Sequence, residues 1–174
     1  DMVFVGSGSA DLFIQSTAPD ADIEVLLSEV RADGFETYVQ AGWLRASQRA
    51  LDQDQATALR PVQTHLGVDL APLPEGQFEL ARVEIFPFAH IFRAGSRIRI
   101  QIDTPGDSRE LWRFLLLEYE GPIMHTIAHS ALYPSSIALP LIPMSPVGSL
   151  PPPCPGLRGQ PCRLFEEYTN TVGP

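Results

Sequence analysis

Apolar residues along the chain fall in short runs separated by glycine and proline, and several runs alternate apolar with polar positions. Phe78-Glu79-Leu80-Ala81-Arg82-Val83-Glu84-Ile85 alternates in this way, as does Ser96-Arg97-Ile98-Arg99-Ile100-Gln101-Ile102. A period of two is what a strand with one buried face requires. Near the start, VFVGSGSADLFIQST carries apolar runs on either side of Gly6-Ser7-Gly8-Ser9. It predicts a strand, a turn and a second strand. The next segment, DIEVLLSEV (22–30), is ambiguous. Ile23, Leu26, Leu27 and Val30 suit a helix, whereas Ile23, Val25 and Leu27 suit a half-buried strand. Asp33-Gly34 supplies the positive φ of a tight turn, and Phe35–Gln40 is rich in strand formers, so the segment is read as the first arm of a hairpin.

Further along, residues 47–60 read as helical or irregular and end at Pro61. Residues 62–70 read as a short strand, 86–92 as an apolar connector, and Arg93-Ala94-Gly95 as a turn. Strands are expected at 111–119, 123–131 and 136–141. Proline and glycine dominate from Ser145 onward, which divides the chain into a β domain over 1–144 and a surface tail over 145–174. Roughly eight to ten short strands with closely spaced turn signals point to an all-β sandwich or jelly roll with short helical or irregular insertions.

Composition narrows the function classes. The formal net charge is -9, and all 12 basic residues are arginine. A phosphate-binding surface needs clustered positive charge, so nucleic acid is not expected as a partner. Arg97 and Arg99 read as the solvated face of a strand, near Arg93. No run approaches the ~20 apolar residues of a membrane span. The chain begins at Asp1 rather than Met, and is read as part of something longer.

The search for chemistry finds no nucleophile. Gly6-Ser7-Gly8-Ser9-Ala10 lacks the Gly-x-Ser-x-Gly spacing, and the chain lacks the lysine of a phosphate-binding loop. His125 and His129 form HTIAH, with Thr126 where a zinc protease has Glu. They read as surface or interface histidines, and His90 as a satisfied buried imidazole. Asp20, Asp22 and Asp33 offer oxygen ligands for calcium, but solvated turn carboxylates are the default. Trp43 and Trp112 suit a sugar-stacking platform or, more simply, packing. No catalytic residue, cofactor or metal is expected. Cys154 and Cys162 are too far apart for a redox CxxC pair and too few for zinc. They are read as a small disulfide loop, with free thiols as the alternative. A disulfide would indicate a periplasmic or secreted parent protein, and free thiols a cytoplasmic one.

Several blocks, in order, resemble one family. They are Ser16-Thr17-Ala18-Pro19-Asp20-Ala21-Asp22; Asp33-Gly34 followed by Gly42-Trp43-Leu44-Arg45-Ala46-Ser47; residues 88–99, FAHIFRAGSRIR; and His129-Ser130 with Tyr133-Pro134-Ser135 and residues 137–143. This pattern is similar to the C-terminal, non-catalytic domain of the X-Pro dipeptidyl-peptidase and cocaine-esterase-like (CocE/NonD) hydrolases. The resemblance implies a jelly-roll (galactose-binding-like) β-sandwich packed beside an α/β-hydrolase domain and a helical cap. It also implies a Ser-His-Asp triad in that other domain, with no catalytic position inherited here. Under this reading Trp43, Phe86, Phe88, His90, Phe92 and Trp112 are expected as core or domain-interface anchors. The isolated chain should expose an apolar patch or form a homo-oligomer through it. The competing expectation is a free-standing carbohydrate- or ligand-binding module. The segment 111–119 with His125, and the Cys-bearing tail, lie outside the blocks that carry the resemblance.

Overall fold

The structure, a computed structural model, describes residues 1–105, 115, 117–143, 147–155 and 161–167. Its strands form two antiparallel sheets. In the first, β1 (Met2–Ser16) pairs with β4 (Glu79–Phe92) along one edge. Along its other edge β1 pairs with three short strands, β6 (His125–Ile127), β7 (Ser136–Ala138) and β8 (Leu141–Ile142). The second sheet has the order β5 (Arg97–Asp103), β2 (Asp22–Val30), β3 (Phe35–Arg45) and β9 (Cys162–Leu164). The segment DIEVLLSEV is therefore a strand, and the hairpin reading holds.

The turn of that hairpin shows why. Gly34 has φ +86°, its amide donates to the Arg31 carbonyl, and the Arg31 amide donates to Phe35. An L-residue with a side chain is strained at that φ, so glycine suits the corner. The helical spacing in β2 has a separate cause. As a central strand β2 is covered on both faces, which removes clean alternation. Ile23, Val25 and Leu27 enter the core, while Glu24 and Ser28 on the opposite face are also buried.

Between the sheets lie Leu12, Ile14, Val25, Leu27, Val83 and Ile85, each 2% exposed or less. Burying an aliphatic side chain of this size contributes about 1.5–3 kcal/mol. The alternation in residues 78–85 thus marks the core face of β4, as its pattern indicates.

Three expectations need correction. The Gly6–Ser9 segment is not a turn: β1 is continuous, with a register irregularity between Gly6 and Gly8. Residues 86–92 are not a connector but the second half of β4. Gly6 pairs with Phe88 and Gly8 with Ile85, so Ser7 faces both Phe86 and Pro87. The extra residue makes a bulge, where a proline without an N–H is tolerated. Residues 62–70 form no strand; they contain an isolated bridge at Gln63 and a 3-10 turn, Gly67–Asp69. This loop is held by backbone bonds at that bridge, Asp52 amide to Val62 carbonyl and Thr64 amide to Ala50 carbonyl, and by Gln63 Nε2 donating to the Arg82 carbonyl at 2.7 Å. Residues 47–60 are irregular after the 3-10 turn Ala46–Gln48. Of the strand expected at 111–119, residues 111–114 and 116 lie outside the described residues.

Candidate functional site

At one end of the sandwich, an open cleft of roughly 1160 Å³ lies between the end of β2, the second half of β4 and residues 147–153. Glu29, which is 4% exposed, is among the residues that line it. Glu29 Oε2 accepts from His90 Nε2 at 2.8 Å, and Oε1 accepts from the Arg93 amide at 3.0 Å. The Ser96 hydroxyl also bonds to this carboxylate. Burial pushes the Glu29 pKa up, but the bonds from His90, Ser96 and the Arg93 amide outweigh it and hold the group below the ordinary glutamate value.

Sequence reasoning found His90 but missed its partner. The fold brings them together because β4 runs over the inner face of β2 and then turns at Arg93–Ser96, with Gly95 at φ +85°. A signal was present: Glu29 continues the Ile23, Val25, Leu27 alternation of the core face, and a carboxylate there must find partners.

Serine, histidine and a carboxylate meet here, but in the wrong order for nucleophilic catalysis. In a triad the histidine stands between the hydroxyl and the carboxylate, so that it can take the serine proton. Here the carboxylate stands between, and receives both donors. The cluster therefore locks the β4–β5 turn onto β2 and activates no nucleophile.

A second buried carboxylate, Glu36, lies on the outer face of the same sheet as Glu29 and is also 4% exposed. It accepts from Ser28 Oγ at 2.6 Å, from Arg99 Nη1 at 2.9 Å and from Arg163 Nε at 3.1 Å. Burial raises its pKa, and the Ser28 and Arg163 bonds with the Arg99 and Arg163 charges more than reverse the effect. Arg99, expected on a solvated face, thus serves a buried charge. Arg97 and Arg99 also stand over the Phe165 ring, at 5.0 and 5.4 Å from its centroid.

The aromatic positions separate into classes. Phe92 is in the core, edge-on to Phe4 at 5.4 Å. Phe88 is half-buried and packs against the same core. Trp43 is half-buried on β3, 5.5 Å from the ring of Phe86, which is 39% exposed. Trp112 lies outside the described residues.

The carboxylates considered for calcium each have a protein partner. Asp20 Oδ1 accepts from the Ala21 and Ser47 amides, Asp22 forms a two-point pair with Arg45, and Asp33 pairs with Arg31. Among the described residues no group of three or more His, Cys, Asp or Glu is placed to hold a metal. His125 lies on β6 opposite Ser16, and His129 forms a bridge with Pro134. Cys154 and Cys162 are joined as a disulfide, Cα atoms 5.7 Å apart, beside the Thr37 hydroxyl.

Comparison with known proteins identifies what kind of sandwich this is. A family model described as the X-Pro dipeptidyl-peptidase C-terminal non-catalytic domain matches residues 1–136. Two mycobacterial proteins provisionally named serine esterases, from Mycobacterium bovis and Mycobacterium tuberculosis, are 31% identical over 133 residues. The match covers 75% of this chain and 20% of each relative, so the chain spans about a fifth of their length. A CocE/NonD family hydrolase from Staphylococcus aureus superposes with a TM-score of 0.69 at 22% identity, over 81% of this chain and 28% of that one. An aminopeptidase from a marine sediment Thaumarchaeota archaeon gives 0.58 at 20% identity, over 81% and 24% respectively. At these identities the two structures speak for the fold alone.

Proposed function

The chain belongs to the X-Pro dipeptidyl-peptidase C-terminal non-catalytic domain family, and from that premise we propose that it is the supporting β-sandwich of a larger serine hydrolase. In this reading it packs against an α/β-hydrolase domain and a helical cap of the same protein. It helps to wall the cleft in which an ester, amide or X-Pro peptide is hydrolysed.

The observation that carries the reading is an apolar face that forms one wall of the cleft and continues past it to Ile142. On the outer side of the first sheet, Val3 pairs with Ile91 and Ile142, and Val5 with Ala89. Paired residues share a face. Val5 is 51% and Ile142 41% exposed, and Ala89 is exposed as well. A contiguous apolar surface of this kind is what a covering domain buries.

The test is Val5→Asp with Ile142→Asp, made both in the isolated chain and in the whole parent protein. The isolated variant should keep its stability to within about 0.5 kcal/mol, because both side chains are already exposed. Its affinity for the separately expressed catalytic and cap domains should fall at least tenfold, equivalent to about 1.4 kcal/mol. A parental chain with no measurable affinity for those domains by titration calorimetry would overturn the proposal.

For the compartment, the cysteines support one reading. No helix among the described residues is long and apolar enough to cross a membrane. The joined Cys154 and Cys162 favour a periplasmic or secreted parent, since such bonds persist in oxidising compartments. Peptide mapping without reductant, on protein from its natural source, should recover the two cysteines in one linked peptide. Two alkylatable thiols would place the parent in the cytoplasm instead.

A further inference from the structure

The segment that carries Cys154 and Cys162 lies beyond the residues matched by the family, yet the structure uses it as part of a sheet. Strand β9 lies on the edge of β3, with Leu164 opposite Phe35, Arg163 opposite Glu36 and Cys162 opposite Thr37. The Tyr38 amide donates to the Pro161 carbonyl, and the Phe165 amide to the Gly34 carbonyl. The addition covers a strand edge and supplies Arg163 to the buried Glu36 carboxylate.

We propose that the Cys154–Cys162 disulfide is a redox clasp, which holds β9 on the edge of β3 when oxidised and releases it when a dithiol reduces the bond. A three-residue edge strand is a weak attachment, because few ladder bonds stand against the conformational freedom lost on ordering it. Leu164, opposite Phe35, is 67% exposed and adds little burial. The other end of the clasp is held independently. Arg31 Nη1 donates to the Pro152 carbonyl at 2.8 Å, and Arg93 Nη2 to Ser149 Oγ at 3.2 Å. The disulfide thus ties a weakly held strand to an anchored segment, replacing a tether of eight residues by a direct bond.

The chemistry is thiol–disulfide exchange. A thiolate of the dithiol attacks one sulfur, and the other cysteine leaves as thiolate; the reductant's second thiolate then attacks its own sulfur in the mixed disulfide, which breaks that bond, frees the first cysteine as thiolate and completes the reductant's disulfide. Two electrons pass to the cysteine pair and the dithiol is oxidised. Both cysteines are half-buried rather than enclosed, which leaves a sulfur within reach. Release is local because Glu36 keeps Ser28 and Arg99 when Arg163 departs. β9 pairs with β3 alone, at three positions, and β1, β2 and β4 have no ladder with it among the described residues.

Hydrogen exchange read by mass spectrometry tests this on the whole chain, oxidised and after reduction with dithiothreitol and capping with iodoacetamide. On reduction, amide protection of residues 161–167 and of Tyr38 should fall at least tenfold, with a ceiling of roughly a hundredfold from loop closure. Protection in β1, β2 and β4 should not change. Cys154→Ser with Cys162→Ser should reproduce the reduced pattern. Arg163→Ala should retain protection of β9 to within a few-fold while oxidised, and lose it on reduction. Equal protection of 161–167 in the two redox states would overturn the proposal. So would a loss spread through β1, β2 and β4, or release of β9 in oxidised Arg163→Ala.

Discussion

Replacing Gly42 with alanine should unfold much of the population at temperatures where the parent chain is folded. A Cβ at Gly42 would land on the carbonyl oxygen of Glu84, with the Glu84 carbonyl carbon 2.7 Å and Ile85 Cα 3.3 Å away. These are backbone atoms of β4, so no rotamer change can clear the space. The two sheets would have to part along the side where β3 crosses β4, next to the fully buried Ile85. Overpacking a core usually costs about 1–3 kcal/mol through side-chain adjustment. A backbone clash should exceed that, at about 4 kcal/mol or more, against a total stability of roughly 5–15 kcal/mol. For a domain of this size the melting temperature should drop by about 10 °C or more. Two controls separate the causes. Gly67→Ala meets open space without a positive φ, and should be neutral within about 0.5 kcal/mol. Gly34→Ala also meets open space but at φ +86°, and should lose about 1–2 kcal/mol from backbone strain alone. A Gly42→Ala protein that melts within two or three degrees of its parent would show that the sheets do not approach as described.

Glu29→Ala should be nearly as damaging, for an electrostatic reason. Removing the carboxylate leaves the His90 ring N–H, the Arg93 amide and the Ser96 hydroxyl without the acceptor that joins them. Breaking a buried charged cluster on one side typically costs about 3–5 kcal/mol. Chemical denaturation at neutral pH should show the loss, with Glu29→Gln between variant and parent because one acceptor oxygen remains. The same cluster sets the response to acid. The folded pKa of Glu29 lies below its ordinary value of 4.5, so the folded state binds fewer protons than the unfolded state. Its stabilisation is complete above that value and is lost as pH falls through it toward the folded pKa. Glu36 behaves in the same sense. Unfolding free energy should therefore decline as pH drops below the ordinary glutamate range, and the decline should be shallower in Glu29→Gln. Identical acid profiles for parent and Glu29→Gln would remove Glu29 from this account.

Legibility followed the range of each interaction. The alternation in residues 78–85 and 97–102 showed strands because side-chain direction along a strand is a local property. The Asp33-Gly34 corner was readable because positive φ is a local demand. Pro87 misled because proline usually ends a strand, and only its position opposite Ser7 across the ladder shows that no hydrogen bond is forfeited. Gly6 and Gly8 misled similarly, since glycines in a bulge and in a turn look alike in sequence. The His90–Glu29 pair spans 61 residues and the Arg163–Glu36 pair 127, and nothing in the local pattern of either end names its partner.

By itself, then, the sequence determined the strand-rich composition, the hairpin of residues 22–40, the absence of a recognisable nucleophile motif and the family to which the chain belongs. These rest on side-chain period, turn chemistry and block order, all of which are written along one dimension. Only the tertiary structure decided that Gly42 lies against the backbone of β4, that Glu29 receives Ser96 and His90 in a non-catalytic order, and that the tail returns as β9 to cover an edge. Each of these depends on register between strands distant in the chain, which buried surface and paired charges fix together and no local stretch encodes.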